Sequence, residues 1–448
     1  MFGYDLLYDK LEMFKTSVEQ DHLIFLQFSP IMEDMKTTLP DYSTSQPKRN
    51  IAVRVTATAE TMIRKRHPWI FDHSITHQSH AGEAGDLAVI FDANRKFLAL
   101  GLWDPDSIIR IRILQFVKPA EIDKDWFAGK IQVAYEQRKS LQAQNTDGYR
   151  LMFGENDGLP GLVIDRYATV FVIKIYSTAW VRYLKWIEEC LQEMFNYASL
   201  VIRLSRNIAQ KVELEYGITD GKLLDGLPVE ERVLFRENGL TFEADPIQGH
   251  KTGFYLDQRE NRARVEQLAY GKSVLNVFSY NGGFSLYAAR GKAKAVTSVD
   301  LNPLALESAQ RNFTYNLDVP AIKVCRHETL VGDAFEYLQM AARNQGKFDL
   351  VILDPPMFAQ NQSQIERAIA TYQKLTRLGL GVLNPGGVLV QASCSSRVSA
   401  TAFYEAIGVT VQRMGRKLYE IERSGHPLDH PVNFPEGEYL KCLFARID

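Results

Sequence analysis

Val274-Leu275-Asn276-Val277-Phe278-Ser279-Tyr280-Asn281-Gly282-Gly283-Phe284 is the stretch on which the fold turns. An apolar strand pattern runs into paired glycines, and a helical pattern follows through Leu286. Glycines at such a turn let the backbone approach a ligand closely, and the free N–H groups of the helix start favour an anion. That anion is pyrophosphate in a dinucleotide enzyme and the methionine carboxylate in a methyltransferase. The full GxGxxG pattern is absent, which counts against a nicotinamide cofactor. By itself the loop is a weak signal, because many strand–helix junctions carry glycine for the turn alone.

Working outward, AVTSVD, FDLVILD and GVLVQAS read as further apolar strands, separated by helices through Arg311 and Leu380. Apolar strands alternating with helices predict an α/β, Rossmann-like, doubly wound parallel sheet. The second strand ends at Asp300, where an acid can accept both ribose hydroxyls. The bland alternative is a helix cap before Asn302-Pro303. A third ending, Gly332-Asp333-Ala334, offers a carboxylate to an adenine amine or, again, a cap. Three such endings in successive βα units point to an adenosine-containing ligand, since ligands bind at the carboxyl ends of parallel strands.

The fourth strand ends in Asp354-Pro355-Pro356-Met357-Phe358. Two prolines lock the backbone after the acid, and Phe358 can stack on a base. Acid-Pro-Pro-x-aromatic after a buried strand suits methyl transfer to a planar nitrogen heterocycle. One strand on, Ser393-Cys394-Ser395 places a thiol where it can face the same substrate. Carbon-5 of a pyrimidine is too electron-poor to take a methyl directly. A thiolate adding at carbon-6 makes it nucleophilic, so cysteine beside an acid fits carbon-5 methylation. In isolation a free Cys reads as a small buried hydrophobe. The other cysteines lack this setting: Cys190 falls in an amphipathic helix, Cys325 in a strand, and Cys442 in the final strand.

Upstream the pattern differs. Residues 1–50 form an N-terminal extension with internal Met32 and Met35, and translation beginning at Met35 is an open alternative. Residues 51–118 carry short strands punctuated by glycine, as in a small β-barrel or sandwich. They hold the cluster Arg64-Lys65-Arg66-His67-Pro68-Trp69-Ile70-Phe71, and Arg110 and Arg112 alternate with isoleucines on one strand face. Residues 119–245 read as a central α+β module without chemistry of its own, and 246–448 as the cofactor-binding domain. The chain has 448 residues, 46% hydrophobic and 24% charged, with net charge -2, so a polyanion must be met by local basic patches. Four scattered cysteines without a CxxC pair argue against disulfides and structural zinc, and fit a reducing cytoplasm. No apolar run is long enough to span a bilayer, and no signal peptide is evident.

With these motifs in place, the sequence resembles the bacterial 23S rRNA cytosine-5 methyltransferases, built as a PUA domain, a central linking domain and a class I methyltransferase domain. The resemblance covers residues 51–448 and is carried by Arg66-His67-Pro68-Trp69-Ile70-Phe71, Glu155-Asn156-Asp157-Gly158-Leu159-Pro160-Gly161-Leu162, Lys251-Thr252-Gly253-Phe254-Tyr255-Leu256-Asp257-Gln258-Arg259, Asp354-Pro355-Pro356 and Ser393-Cys394-Ser395. It implies S-adenosyl-L-methionine as cofactor. The implied contacts are Phe254, Tyr255, Asp257 and Gln258 over the cofactor, with Asn276, Phe278, Tyr280, Gly282, Asp300, Asn302, Asp333, Ala334 and Asp354 around it. It makes Cys394 the nucleophile, Asp354 the partner of the pyrimidine's N3 or amino edge, and Pro355, Pro356 and Phe358 the wall against the base. A PUA-like domain implies structured RNA, with Arg64, Lys65, Arg66, Arg110 and Arg112 as phosphate contacts, although a solvated basic face explains any single one of them. The family often has Lys where this chain has Met357. Another cytosine-methyltransferase branch places a second Cys after the motif's proline, where Pro356 and Met357 stand here, so the base taking the carbon-5 proton is unassigned. A homodimer is compatible with this reading.

Two other functions stay open. A nitrogen methyltransferase acting on guanine or adenine needs the Asp354 motif and no thiol. A non-catalytic RNA-binding assembly module needs neither, although the acids and the glycine loop of a cofactor cleft are all present.

Overall fold

β-Branched and aromatic runs bounded by glycine and asparagine turns give the first sheet. In the computed structural model, which describes residues 50–359 and 361–448, that sheet contains β1 (Ile51–Val55), β2 (Trp69–Phe71), β3 (Ile75–Gln78), β4 (Leu87–Phe91), β5 (Phe97–Trp103) and β6 (Ile109–Phe116). Their order is β2-β6-β5-β4-β1-β3, with β1 parallel to β4. A helix, Ala57–Arg64, crosses between β1 and β2, and Ile63 on its inner side packs into a core with Ile51, Ile90 and Trp103. Met32, Met35 and the question of where translation starts lie outside the described residues.

The central module forms a second sheet from β7 (Gly148–Phe153), β8 (Leu162–Tyr167), β9 (Val170–Ile175), β10 (Ser199–Leu204) and β11 (Leu223–Gly226), ordered β11-β10-β9-β8-β7. Its first helix is Lys124–Arg138, followed by a separate helical turn, Ser140–Ala143. Trp180, fully buried, donates its indole N–H to the Pro160 carbonyl at 2.9 Å and so pins the Gly-Leu-Pro-Gly turn. A hairpin, β12 (Val233–Glu237) and β13 (Leu240–Ala244), stands apart from that sheet and packs on the C-terminal domain. Glu237 takes a bidentate pair from Arg262 (2.8 and 2.5 Å), and Glu243 takes Arg311 at 2.7 Å.

The third sheet has β14 (Ser273–Val277), β15 (Ala295–Asp300), β16 (Arg326–Val331), β17 (Phe348–Leu353), β18 (Leu383–Ser393), β19 (Leu418–Ser424) and β20 (Lys441–Ile447), ordered β16-β15-β14-β17-β18-β20-β19. The first five are parallel; the central β14, β17 and β18 are apolar runs buried on both faces, whereas β16 (RHETLV) is a polar, largely exposed edge strand. β20 breaks the pattern: it enters antiparallel between β18 and β19. Chain order reverses between β14 and β17, so a crevice opens at their carboxyl ends. Cys325 is a correction to the strand expected for it, since it lies between the short helix Pro320–Val324 and β16. Cys190 and Cys442 are buried in a helix and a strand, and all four cysteines are free. Among the described residues no helix is long and apolar enough to cross a membrane.

Candidate active site

The glycine turn after β14 is held in an unusual backbone conformation. Phe278, Tyr280 and Gly282 all have positive φ, 59°, 47° and 75°. Two non-glycine residues there cost of order 1–3 kcal/mol each, a strain that clusters at ligand sites. A Cβ on Gly282 would stand 2.7 Å from the Cβ of Ala309, so the position tolerates only glycine. Asp300 stabilises the turn by accepting the Tyr280 N–H at 2.8 Å, and it also accepts the Asn302 N–H at 2.9 Å. Each oxygen keeps a lone pair for a ribose hydroxyl.

Three buried polar atoms around this crevice have no protein partner: Asn276 Oδ1, Ser279 Oγ and Asp257 Oδ1. Unpartnered buried groups are costly, and a zwitterionic, hydroxyl-rich ligand satisfies such groups. Exposed apolar side chains stand beside the carboxylates: Leu301 is 70% exposed and Val331, paired with Asp300, is 62% exposed. They offer an adenine ring a flat apolar rest. The residues present therefore fit S-adenosylmethionine, with Ser279 and Leu301 as candidate contacts whose side chains carried no sequence signal.

Other expected contacts divide. Asn302 and Asp333 are exposed helix caps, Asn302 accepting the Leu304 N–H at 3.0 Å and Asp333 the N–H groups of Phe335 and Glu336 at 2.9 and 3.0 Å. Capping leaves lone pairs on each. Ala334 is buried in the core under Leu338. Phe254 is a correction. It is 2% exposed and packs edge-on against Phe235 at 5.0 Å, so it belongs to the aromatic core beneath the hairpin and does not face the cofactor. Tyr255, half-buried, does face the crevice and meets Tyr280 edge-on at 5.0 Å.

Asp354 and Cys394 follow the ends of neighbouring parallel strands, with Leu353 paired to Gln391. The two loops are tied together by the Ser395 hydroxyl, which donates to the Ala359 carbonyl at 3.2 Å. Both Asp354 and Cys394 are partly exposed. Burial, then the nearby Asp257 charge, pushes the Asp354 carboxyl up to about 7. Burial, then the Asp354 charge, pushes the Cys394 thiol up to about 11. Pro355 is buried, Pro356 and Met357 are exposed, and Phe358 packs on Tyr372 at 5.0 Å.

A second layer surrounds this pair, in which Asp257 and the Lys251 segment were expected from the sequence and Tyr439 and Lys441 were not. Asp257 binds Lys251 at 2.6 Å and the Tyr439 hydroxyl at 2.8 Å, and these partners hold its carboxyl well below the usual range against the opposing effect of burial. Lys251 lies over the Tyr255 ring at 4.5 Å. Tyr439 and Lys441 come from the segment entering β20, far from the motifs in sequence.

The basic residues of the first domain also divide. Lys65 and Arg66 are exposed, and Arg64 is exposed but paired with Asp92 at 3.1 Å. Arg110 is half-buried, 5.7 Å over Trp103. Arg112 is a correction: at 5% exposure its guanidinium is turned inward to Asp104 (3.6 Å) and the Ile109 carbonyl (3.0 Å), and no phosphate reaches it. The His-Pro-Trp stretch is a strut between domains, with Trp69 Nε1 donating to Glu155 at 2.9 Å and its ring 5.2 Å from Phe434.

Comparison with known proteins agrees with this geometry. A family model described as S-adenosylmethionine-dependent methyltransferase matches residues 161–446, and a PUA-like domain model matches residues 53–116. A ribosomal RNA large subunit methyltransferase of Deinococcus radiodurans is 46% identical over 403 residues, 89% of this chain and 98% of that one. Ribosomal RNA large subunit methyltransferase I of Shewanella denitrificans is 37% identical over 406 residues, covering 89% and 99%. A crystal structure of a methyltransferase complexed with SAH superposes with a TM-score of 0.75 at 23% identity, covering 88% of this chain and 99% of that chain. At that identity it bears on the fold, which is shared over nearly the whole of the described chain.

Proposed function

Since the chain belongs to the S-adenosylmethionine-dependent methyltransferase family, as a ribosomal RNA large subunit methyltransferase, we propose that its target is carbon-5 of a cytidine in 23S rRNA. One observation carries this reading: Cys394 and Asp354 stand at adjacent strand ends, where one ring can meet both. Bound S-adenosylmethionine supplies an electrophilic methyl group. Asn276, Ser279, Asp300 and Tyr255 hold and cover it. The Cys394 sulfur adds to carbon-6, and the electron density so created spreads to carbon-5 and N3. A carboxyl with pKa near 7 is neutral part of the time at neutral pH, so Asp354 donates to N3 as that charge builds. Once carbon-5 is methylated, loss of its proton expels the sulfur and restores the ring.

The target base leaves its stack to reach this crevice, while Lys65 and Arg66 on the PUA-like domain contact phosphates. A cytoplasmic site of action accompanies an rRNA substrate.

A second reading, methylation of a base nitrogen, is favoured by the direction of one shift: burial, then the Asp354 charge, pushes the Cys394 thiol up and so opposes the thiolate. Substitution Cys394→Ala separates the two. With labelled S-adenosylmethionine and unmodified rRNA, carbon-5 chemistry predicts loss of turnover by at least about a thousandfold. Turnover near wild type, with a nitrogen-methylated nucleoside identified by mass spectrometry, would sink the carbon-5 reading.

A further inference from the structure

β20 places Lys441 opposite Ser393, the residue before Cys394. The Lys441 side chain is 3% exposed. Its ammonium donates to the carbonyls of Ser395 (2.5 Å) and Val398 (2.7 Å), gripping from within the loop that carries the thiol. Carbonyls bring only partial charge. Among the described residues no carboxylate stands within ion-pair distance of this ammonium, and the charges acting on it are those of Cys394 and Glu438. A buried cation without a counter-charge is costly, and burial lowers the Lys441 pKa to about 8.

The other groups facing Cys394 do not supply what is missing. Asp354 and Asp257 oppose a thiolate, and Lys251, the cation that favours it, is committed to Asp257 at 2.6 Å. Tyr255, Tyr372 and Tyr439, which the Cys394 charge also affects, are phenols kept neutral by burial. His426 senses Lys441 too and is held neutral, its pKa lowered to about 4 by burial first. An ammonium without an anion of its own therefore grips the loop that carries a partly exposed thiol, and the one cation favouring that thiolate, Lys251, is committed elsewhere.

We propose that Lys441 is a positioning residue of the reaction: its ammonium is the counter-ion of the Cys394 thiolate, and its carbonyl bonds fix the loop from which the sulfur attacks. This rests on the reading of Cys394 as nucleophile. When the thiolate forms, the thiol proton passes to solvent, the sulfur retains the bonding pair, and Lys441 keeps its own proton. The two groups titrate as a coupled pair.

The test uses the full chain and iodoacetamide, whose iodide the sulfur displaces. Cys394 alkylation is read by peptide mass spectrometry, with the partly exposed Cys325 as internal reference. Lys441→Met keeps an unbranched side chain one atom shorter and removes the charge. It is expected to slow Cys394 alkylation about tenfold near pH 8 and to move its pH inflexion upward, while Lys441→Arg stays close to wild type. An unchanged rate and inflexion in Lys441→Met overturns the proposal. Should that variant fail to fold, the ultraviolet thiolate titration of wild type minus Cys394→Ala decides. An inflexion clearly below the value of about 11 set by burial and Asp354 supports the pair, and one at that value overturns it. The two readings fail separately. Turnover retained in Cys394→Ala removes the nucleophile, whereas lost turnover with unaltered Lys441→Met alkylation removes only the counter-ion.

Discussion

Gln258 Nε2 donates to Asp354 Oδ1 across 3.0 Å, while Gln258 Oε1 accepts from Asn261 at 2.6 Å. The second bond orients the amide so that its donor end meets the carboxyl. A hydrogen bond to a carboxylate favours the charged form, so Gln258 lowers a pKa that burial and Asp257 raise. The residue that steers Asp354 is thus drawn from a segment nearly a hundred positions earlier in the chain.

Removing that donor gives the first prediction. In Gln258→Leu the Asp354 pKa rises further above its value of about 7. If neutral Asp354 is the group that serves the ring, the alkaline limb of kcat/KM moves upward by about half a unit to one unit. A pH–rate profile on rRNA measures this, and an unmoved limb would show that another group governs it.

Asp354 also links activity to stability. Its folded pKa, about 7, stands above the unfolded value, so the fold binds this proton more tightly than the unfolded chain does. Stability from this group is present in full below the unfolded pKa and is lost as pH rises through about 7. Asp354→Asn carries no charge at any pH. It should therefore be more stable than wild type at pH 8 by about 2 kcal/mol, allowing for partial exposure, and no more stable at pH 4. Urea unfolding at the two pH values checks the sign. Methyl transfer by the same variant should fall about a hundredfold or more.

The sequence carried the doubly wound sheet plainly, because a parallel strand buried on both faces must be an apolar run, and AVTSVD and FDLVILD each ended at an acid. It also carried the adjacency of Asp354 and Cys394, since consecutive strands with short crossovers tend to be neighbours. What it hid was whatever depends on burial or on distant chain order. Phe254 lies in the same motif as Tyr255 and Asp257, yet its side chain turns into the aromatic core, and no local pattern distinguishes the two directions. Arg112 alternates with isoleucines just as Arg110 does, but an ion pair with the buried Asp104 takes it inward. Lys441 and Tyr439 reach the site only because β20 enters antiparallel, a topology without a signature in hydrophobic period.

The joint between the central module and the C-terminal domain gives the last prediction. Asp429, in the connection between β19 and β20, accepts two hydrogen bonds from Arg259 at 2.8 and 3.0 Å, and both side chains are wholly buried. Asp429 Oδ2 also accepts the N–H of Arg150 from β7, and Arg138 donates to the Asp429 carbonyl at 3.1 Å. One carboxylate thus bonds both domains. Truncation to Asp429→Ala leaves the buried Arg259 with only the half-exposed Glu260 carboxylate, 3.3 Å away, as a counter-charge, which costs about 3 kcal/mol. The Asp429 pKa is held well below the usual value by Arg259 first among its partners, against burial. Its stabilisation is therefore present above the unfolded carboxyl pKa and is lost as pH falls below it. Urea unfolding near neutral pH should show the full loss in Asp429→Ala, and the gap to wild type should narrow on acidification. A gap independent of pH would mean that shape, and not charge, holds this joint.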